Sequence, residues 1–122
     1  METRIKYGRG ELDVSIPDSC EATIVEPRSD SGITDPVAEI RRRLAAPIGS
    51  PPLSKLLETA GTVGIIISDI TRATPNELIL PPVLDACAAA GIEDSSIRLF
   101  NATGTHRTNT RSELAELLGS AI

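Results

Sequence analysis

The chain is poor in aromatic side chains: one Tyr, one Phe and no Trp among 122 residues, or 2%. Tyr7 and Phe100 are those two. Such scarcity excludes a stacking platform for single-stranded nucleic acid, which needs several π faces in a row. Basic charge is also in short supply. Twelve Lys and Arg against 17 Asp and Glu give a net charge of −5, a poor match to a phosphate backbone. Cysteine occurs only as Cys20 and Cys87, with no CxxC pair. That excludes a disulfide framework, argues against a structural zinc site, and suits a reducing compartment. No run approaches the roughly 20 apolar residues of a membrane helix. No apolar stretch follows the charged start Met1-Glu2-Thr3-Arg4, so no secretory leader is read. The expectation is a cytoplasmic protein with neither nucleic acid nor membrane as partner.

What is present is an aliphatic folding sequence. Hydrophobic residues make up 40% and charged residues 24%, the balance of a globular chain. The length fits a single domain, 1–122, large enough to bury roughly two-thirds of its unfolded surface.

The first part, 1–27, reads as β-rich. Arg4-Ile5-Lys6-Tyr7 precedes a Gly8-Arg9-Gly10 turn, and Leu12, Val14 and Ile16 alternate with Glu11, Asp13 and Ser15. That period of two predicts a half-buried strand. Ala22-Thr23-Ile24-Val25 is a candidate third strand. Residues 34–61 read as helical. Asp35-Pro36 is a favoured helix opening, with Asp as N-cap and Pro at the first position. Arg41-Arg42-Arg43 suits a solvated helix face near a C-terminus. Leu53, Leu56, Leu57 and Ala60 predict a short second helix closed by Gly61.

Residues 62–122 read as a βαβα unit. Val63-Gly64-Ile65-Ile66-Ile67 is continuously apolar, which predicts a parallel strand covered on both faces. Leu80, Val83, Leu84 and Cys87 share a helical face. Pro81-Pro82 interrupts that segment, so the spacing predicts an irregular stretch at 75–79 and a helix from about Pro81. Ser96-Ile97-Arg98-Leu99-Phe100 is a second strand. Thr110-Arg111-Ser112-Glu113 is a capping box before a last helix that carries Leu114, Leu117 and Leu118 and closes at Gly119. The fold class is therefore α/β: a small N-terminal hairpin or meander, then a Rossmann-like parallel unit that is a fragment of a larger α/β domain. Neither GxGxxG nor a Walker A loop occurs, so the usual nucleotide fingerprints are missing.

Two polar loops follow the two strands of this unit. Open parallel sheets bind ligands outside the carboxyl ends of their strands. Adjacent strands place Asp69-Ile70-Thr71-Arg72 beside Gly104-Thr105-His106-Arg107. Arg72 offers a bidentate fork for a carboxylate or phosphate, with Thr71 and Thr74 as hydroxyls and the next helix start as a source of free N–H groups. His106 is the one histidine, a residue type suited to proton transfer near neutral pH. Plainer roles stand beside these: Asp69 as a turn residue with Arg72 as its ion pair, Gly104 at a positive φ, His106 and Arg107 as exposed loop residues.

The chain resembles the N-terminal part of the nickel-dependent lactate racemase family. Three stretches carry the likeness: Ile5-Lys6-Tyr7-Gly8-Arg9-Gly10 with Ile16-Pro17; Ser68-Asp69-Ile70-Thr71-Arg72-Ala73-Thr74-Pro75; and Ala102-Thr103-Gly104-Thr105-His106-Arg107, followed by Glu113-Leu114 through Leu118-Gly119. The second resembles the family's D-x-T-R-x-x-P loop and the third its T-G-x-H-R loop. The resemblance implies an isomerase that interconverts α-hydroxy acid enantiomers with a nickel-pincer nucleotide. A histidine takes the hydroxyl proton, and hydride leaves C2. Carried over, His106 is one of two acid/base histidines, Arg72 orients the substrate, and Asp69 is a site residue that orients Arg72 or the cofactor. Thr71, Thr74, Gly104 and Arg107 are the candidate cofactor-binding residues.

The departures matter too. The family's second catalytic histidine, nickel-ligating histidine and tethering lysine have no counterpart here, so no metal ligand is assigned. Lys6 and Lys55, the only lysines, lie outside a tether context. The expectation is the N-terminal part of a longer enzyme, inactive alone, acting on a small α-hydroxy acid with a missing C-terminal domain and open to homo-oligomerisation. The competing reading is a non-catalytic anion- or nucleotide-binding module that uses Arg72, Thr71 and Thr74.

Overall fold

The computed structural model describes residues 1–119. It resolves into two compact units, Met1–Gly32 and Ile33–Ile122.

The first unit is built on one antiparallel hairpin, β1 (Glu2–Tyr7) and β2 (Gly10–Ser15). Its turn passes through Gly8 at φ +57°, a left-handed conformation that glycine adopts without penalty. The expected alternation is present. Arg4 and Lys6 lie on the face of Glu11 and Asp13, with Arg4 Nε 2.9 Å from Asp13 and Lys6 Nζ 3.3 Å from Glu11. The opposite face pairs Ile5 with Leu12. Both are exposed, whereas Val14 and Ile16 are half-buried, so the half-buried face that the alternation predicts is present at Val14 and Ile16 but not at Leu12. The predicted third strand at Ala22–Val25 does not form: residues 21–25 have no regular structure. A short β-branched run needs a partner ladder, and here it has none.

The second unit runs α1 (Pro36–Ala45), α2 (Leu53–Leu57), β3 (Val63–Ser68), α3 (Asn76–Ala89), β4 (Ile97–Ala102) and α4 (Arg111–Leu118). Asp35 caps α1 by accepting from the Ala38 N–H at 2.9 Å. The three arginines are exposed on that helix, where Arg42 and Arg43 both reach Glu39 and Arg41 reaches Asp85. Helix α2 is a five-residue helix that stops at Leu57, short of Gly61. β3 and β4 pair in parallel, Val63 against Ile97 through Ser68 against Ala102. The α/β class with one hairpin and one parallel pair agrees with the sequence reading.

Two expectations are corrected here. Helix α3 begins at Asn76 and runs through Pro81 and Pro82. Those prolines cannot donate, so the carbonyls of Glu77 and Leu78 lose their α-helical N–H partners. The helix persists because Leu80, Pro82 and Cys87 are buried along it; tertiary packing rather than propensity holds most helices in proteins. Nor is β3 covered on both faces: Ile66 is 75% exposed and Phe100 on β4 is 56% exposed. The helices cover one face only, the one that carries Ile65 and Ile67.

The core lies in two clusters. Leu57, Cys87 and Ile92 form one. Ile67, Leu80 and Leu117 form the other, with Ile65, Ile70 and Leu118 packed around it. The second joins β3, α3 and α4 directly beneath the carboxyl ends of the strands, so it sets the position of both polar loops.

Candidate active site at the carboxyl ends of the parallel strands

The last matched pair of the sheet is Ser68 with Ala102. The residues that follow each strand therefore start side by side, Asp69 on one and Thr103 on the other. Asn101 ties the two strand ends further by donating from Nδ2 to the Ser68 carbonyl at 3.2 Å.

After β3 the chain turns at once, with the Arg72 N–H bonded to the Asp69 carbonyl at 3.1 Å. The Asp69 side chain folds back into this turn. Its Oδ1 accepts from the Thr71 N–H at 3.0 Å and from the Thr71 hydroxyl at 2.5 Å. Its Oδ2 meets Nδ1 of His106. Asp69 is only 3% exposed, and a buried carboxylate requires such partners. The Thr71 hydroxyl above all, and then the His106 ring, lower its pKa to about 2. Asp69 is therefore ionised at neutral pH and can only accept. Because Asp69 can only accept, Nδ1 donates in the Asp69–His106 bond, and Nε2 is left without a hydrogen-bond partner among the described residues.

After β4 a turn closes from the His106 N–H to the Thr103 carbonyl at 2.9 Å. Gly104 occupies that turn at φ +58°, and a Cβ there would meet nothing within 4 Å. The glycine is thus needed for its conformation and not for a close approach. The His106 side chain is 45% exposed. A buried acid behind it and an open ring nitrogen in front make a His–Asp pair suited to general acid–base work.

The remaining expected residues divide. Arg72 is exposed, and among the described residues no hydrogen bond or ion pair holds its guanidinium. It lines an open cleft of about 400 Å³ at the start of α3 with Thr74, Asn76 and Glu77. Thr71 points its hydroxyl at Asp69, and Thr74 shares a 2.9 Å hydrogen bond with Ser68 Oγ. Arg107 does not face the His–Asp pair. Its guanidinium forms a fork on Glu113, at 2.6 and 2.9 Å. The ion pair between Asp69 and Arg72 weighed in the sequence reading is absent; the partner of Asp69 is His106.

Sequence reasoning missed Glu113 as a partner of the loop, because the capping box already accounted for it. That box is present: Thr110 Oγ1 accepts from the Glu113 N–H at 3.2 Å, and Glu113 accepts from the Thr110 N–H at 2.8 Å. Arg107 and the Thr110 backbone hold the Glu113 carboxyl below the usual carboxylate range. Asn76 was missed too. Its Nδ2 is buried without a hydrogen-bond partner among the described residues, and an Asn opening a helix gives no signal of that in sequence. Among the described residues no group of three His, Cys, Asp or Glu is arranged to hold a metal ion, both cysteines are free, and no helix is long and apolar enough to cross a membrane.

Comparison with known proteins gives one answer. A family model described as the lactate racemase N-terminal domain matches residues 7–122. The lactate racemase of Thermoanaerobacterium thermosaccharolyticum is 31% identical over 120 residues, which cover 97% of this chain and 28% of that protein. The lactate racemase of Lactiplantibacillus plantarum is 36% identical over 83 residues, 68% of this chain and 19% of that protein. The solved structure of the T. thermosaccharolyticum lactate racemase apoprotein matches with a TM-score of 0.72 at 29% identity, over 95% of this chain and 26% of that one. The chain thus spans about a quarter of the length of these relatives.

Proposed function

We propose that this chain, which belongs to the lactate racemase N-terminal domain family, supplies one acid/base group and one substrate-orienting cation to a racemase or epimerase of α-hydroxy acids. The observation that carries the reading is the Asp69–His106 pair joining the two loops. Racemisation of an α-hydroxy acid through its keto acid requires the hydroxyl proton to leave as the carbon–oxygen bond gains double-bond character. His106 Nε2 accepts that proton. Asp69 fixes the tautomer and stabilises the imidazolium as it forms. Proton return from the same nitrogen completes the reverse step on either face of the flat keto acid. Arg72, with no ion-pair partner among the described residues, binds the carboxylate or the developing negative oxygen of the substrate.

The family resemblance implies a nickel-pincer nucleotide, which supplies a hydride acceptor when bound. The residues present here do not fit a nickel site. His106 is the one histidine and has Nδ1 committed to Asp69. Lys6 and Lys55 are engaged with Glu11 and Glu58. No step in this chain is routed through that group. In our reading the nickel ligand, the tethering lysine and a second acid/base histidine come from another part of the parent enzyme. The 122 residues are then inactive alone, cytoplasmic, and dependent on a C-terminal domain or on self-association to complete the site.

The test is lactate racemisation by the cofactor-loaded parent, followed by chiral chromatography. His106→Ala is expected to abolish turnover while leaving the fold intact, and full activity in that variant would refute the assignment. A second reading is favoured by Arg72, which has no ion pair among the described residues and lines a cleft beside Thr74 and Asn76: a non-catalytic anion- or nucleotide-binding module. Titration of the chain with phosphate, nucleotides and lactate discriminates. Tight saturable nucleotide binding, unchanged in His106→Ala, supports the module.

A further inference from the structure

We propose that Glu113, on the first turn of α4, is a positioning residue for His106, acting through Arg107. This rests on the reading of His106 as the acid/base group. Residues 103–109 run between β4 and α4 without helix or strand. One backbone hydrogen bond closes the turn that presents His106, and a Cβ on Gly104 at its tip would meet no neighbour within 4 Å. With its side chain 45% exposed, the imidazole is only partly enclosed. Its aim depends on the bond to Asp69 and on where the backbone at residue 106 is held.

That backbone is held from the next residue. Both oxygens of Glu113 take the Arg107 fork, and Arg107 Nη1 also donates to the Thr108 carbonyl at 3.1 Å. Glu113 is itself fixed by the Thr110 N–H. Helix α4 is anchored by Leu117 in the cluster with Ile67 and Leu80. Ile67 stands two residues before Asp69 in β3. Both ends of the Asp69–His106 bond therefore hang from the same apolar cluster, the acid directly along β3 and the histidine through Arg107, Glu113 and α4. A bidentate fork fixes orientation as well as distance, and His106 and Arg107 share a peptide plane. Release of the fork frees that plane.

A capping role alone makes a different demand. The reciprocal cap needs only an acceptor at this position, and Gln supplies one. The fork needs a carboxylate. Glu113→Gln thus separates the two roles. His106 is the single histidine, so ¹⁵N NMR of a histidine-labelled 122-residue chain reads its tautomer without ambiguity, at a pH where the ring is neutral. The expected wild-type signal is the Nδ1–H form. In Glu113→Gln and in Arg107→Ala the Nε2–H share rises by roughly threefold or more, the size of change that follows loss of a modest hydrogen bond. The double variant goes no further than either single, since both cut one link. Helix content by circular dichroism stays unchanged in Glu113→Gln. Arg107→Ala leaves the cap intact and keeps the test sound if changes at 113 impair folding. An unchanged tautomer in both single variants, or additive shifts in the double, overturns the proposal. An active His106→Ala parent alongside the tautomer shift overturns the catalytic reading while supporting the clamp. An inactive one with no shift overturns the clamp alone.

Discussion

The loop after β3 buries its acid and leaves its arginine free, whereas the loop after β4 exposes its histidine and ties its arginine down. Asp69 is 3% exposed with Thr71 and His106 on its two oxygens. Arg72, three residues on, has no ion pair among the described residues. Across the sheet edge Arg107 is neutralised by Glu113. Two arginines in similar motifs are therefore not equivalent: only Arg72 has charge to offer a ligand, while Arg107 holds a loop in place. Residue type nominates a site, and the partner of each charge decides what that site can do.

The strongest way to break this contrast is to exchange the acid. Asp69→Asn keeps the shape but offers Nδ1 a neutral partner whose amide can present N–H instead of oxygen. On the proposed function, loss of general acid–base assistance is expected to lower lactate racemisation by the parent protein by roughly 100- to 10,000-fold. Arg107→Lys is expected to cost far less, since Arg107 touches neither Asp69 nor the His106 ring. Equal losses in initial-rate measurements would remove the distinction between the two loops.

The platform shared by the loops comes next. Leu80 is 2% exposed, between Ile67 and Leu117. Leu80→Ala is expected to destabilise by roughly 2–5 kcal/mol, the range for a buried leucine cavity. Urea unfolding of the chain measures it. A loss below 1 kcal/mol, a small value for such a cavity, would mean that this cluster does not hold the loops together.

Local chemistry was the legible part of this fold. Asp35-Pro36 and Thr110 with Glu113 specify their own helix starts, and both starts form. The parallel pair was legible because a β-branched run, Val63 to Ile67, and a second apolar stretch, Ile97 to Phe100, bracket a helical segment. Pro81-Pro82 misled, since their cost is local and the burial of Leu80 and Cys87 that outweighs it is not. At the site, adjacency of the loops followed from adjacent strands, but the bond between Asp69 and His106, 37 residues apart, could not be told from an Asp69–Arg72 pair by spacing. Arg107 looked available because its partner already had a function as a cap.

Acid titration sharpens the same contrast. Folding lowers the pKa of Asp69 to about 2, against ~3.9 for an unfolded Asp. The unfolded chain binds more protons in that window, so this contribution is complete above the unfolded value and is lost as pH falls toward 2. Glu113 is shifted in the same direction by Arg107, and Glu39 by Arg42 and Arg43. The urea midpoint is expected to decline from about pH 4 downward, and less steeply in Asp69→Asn. An identical decline in that variant would show that the buried acid does not contribute to it.

The smallest effect tests how each loop is shaped. Among the described residues no non-glycine residue has a positive φ, so the loop after β3 turns on ordinary backbone; the loop after β4 needs Gly104 at +58°. Open space around Gly104 means that a methyl group meets no neighbour there, so Gly104→Ala carries only the conformational cost of a left-handed residue, about 1–2 kcal/mol. Gly104→Asn should recover part of it, because Asn tolerates that region. Both values come from urea unfolding, and the His106 ¹⁵N signal reports whether the turn keeps its aim. If Ala and Asn cost the same and the ring is undisturbed, the turn has another low-energy path, and the presentation of His106 depends on the Arg107 fork more than on its glycine.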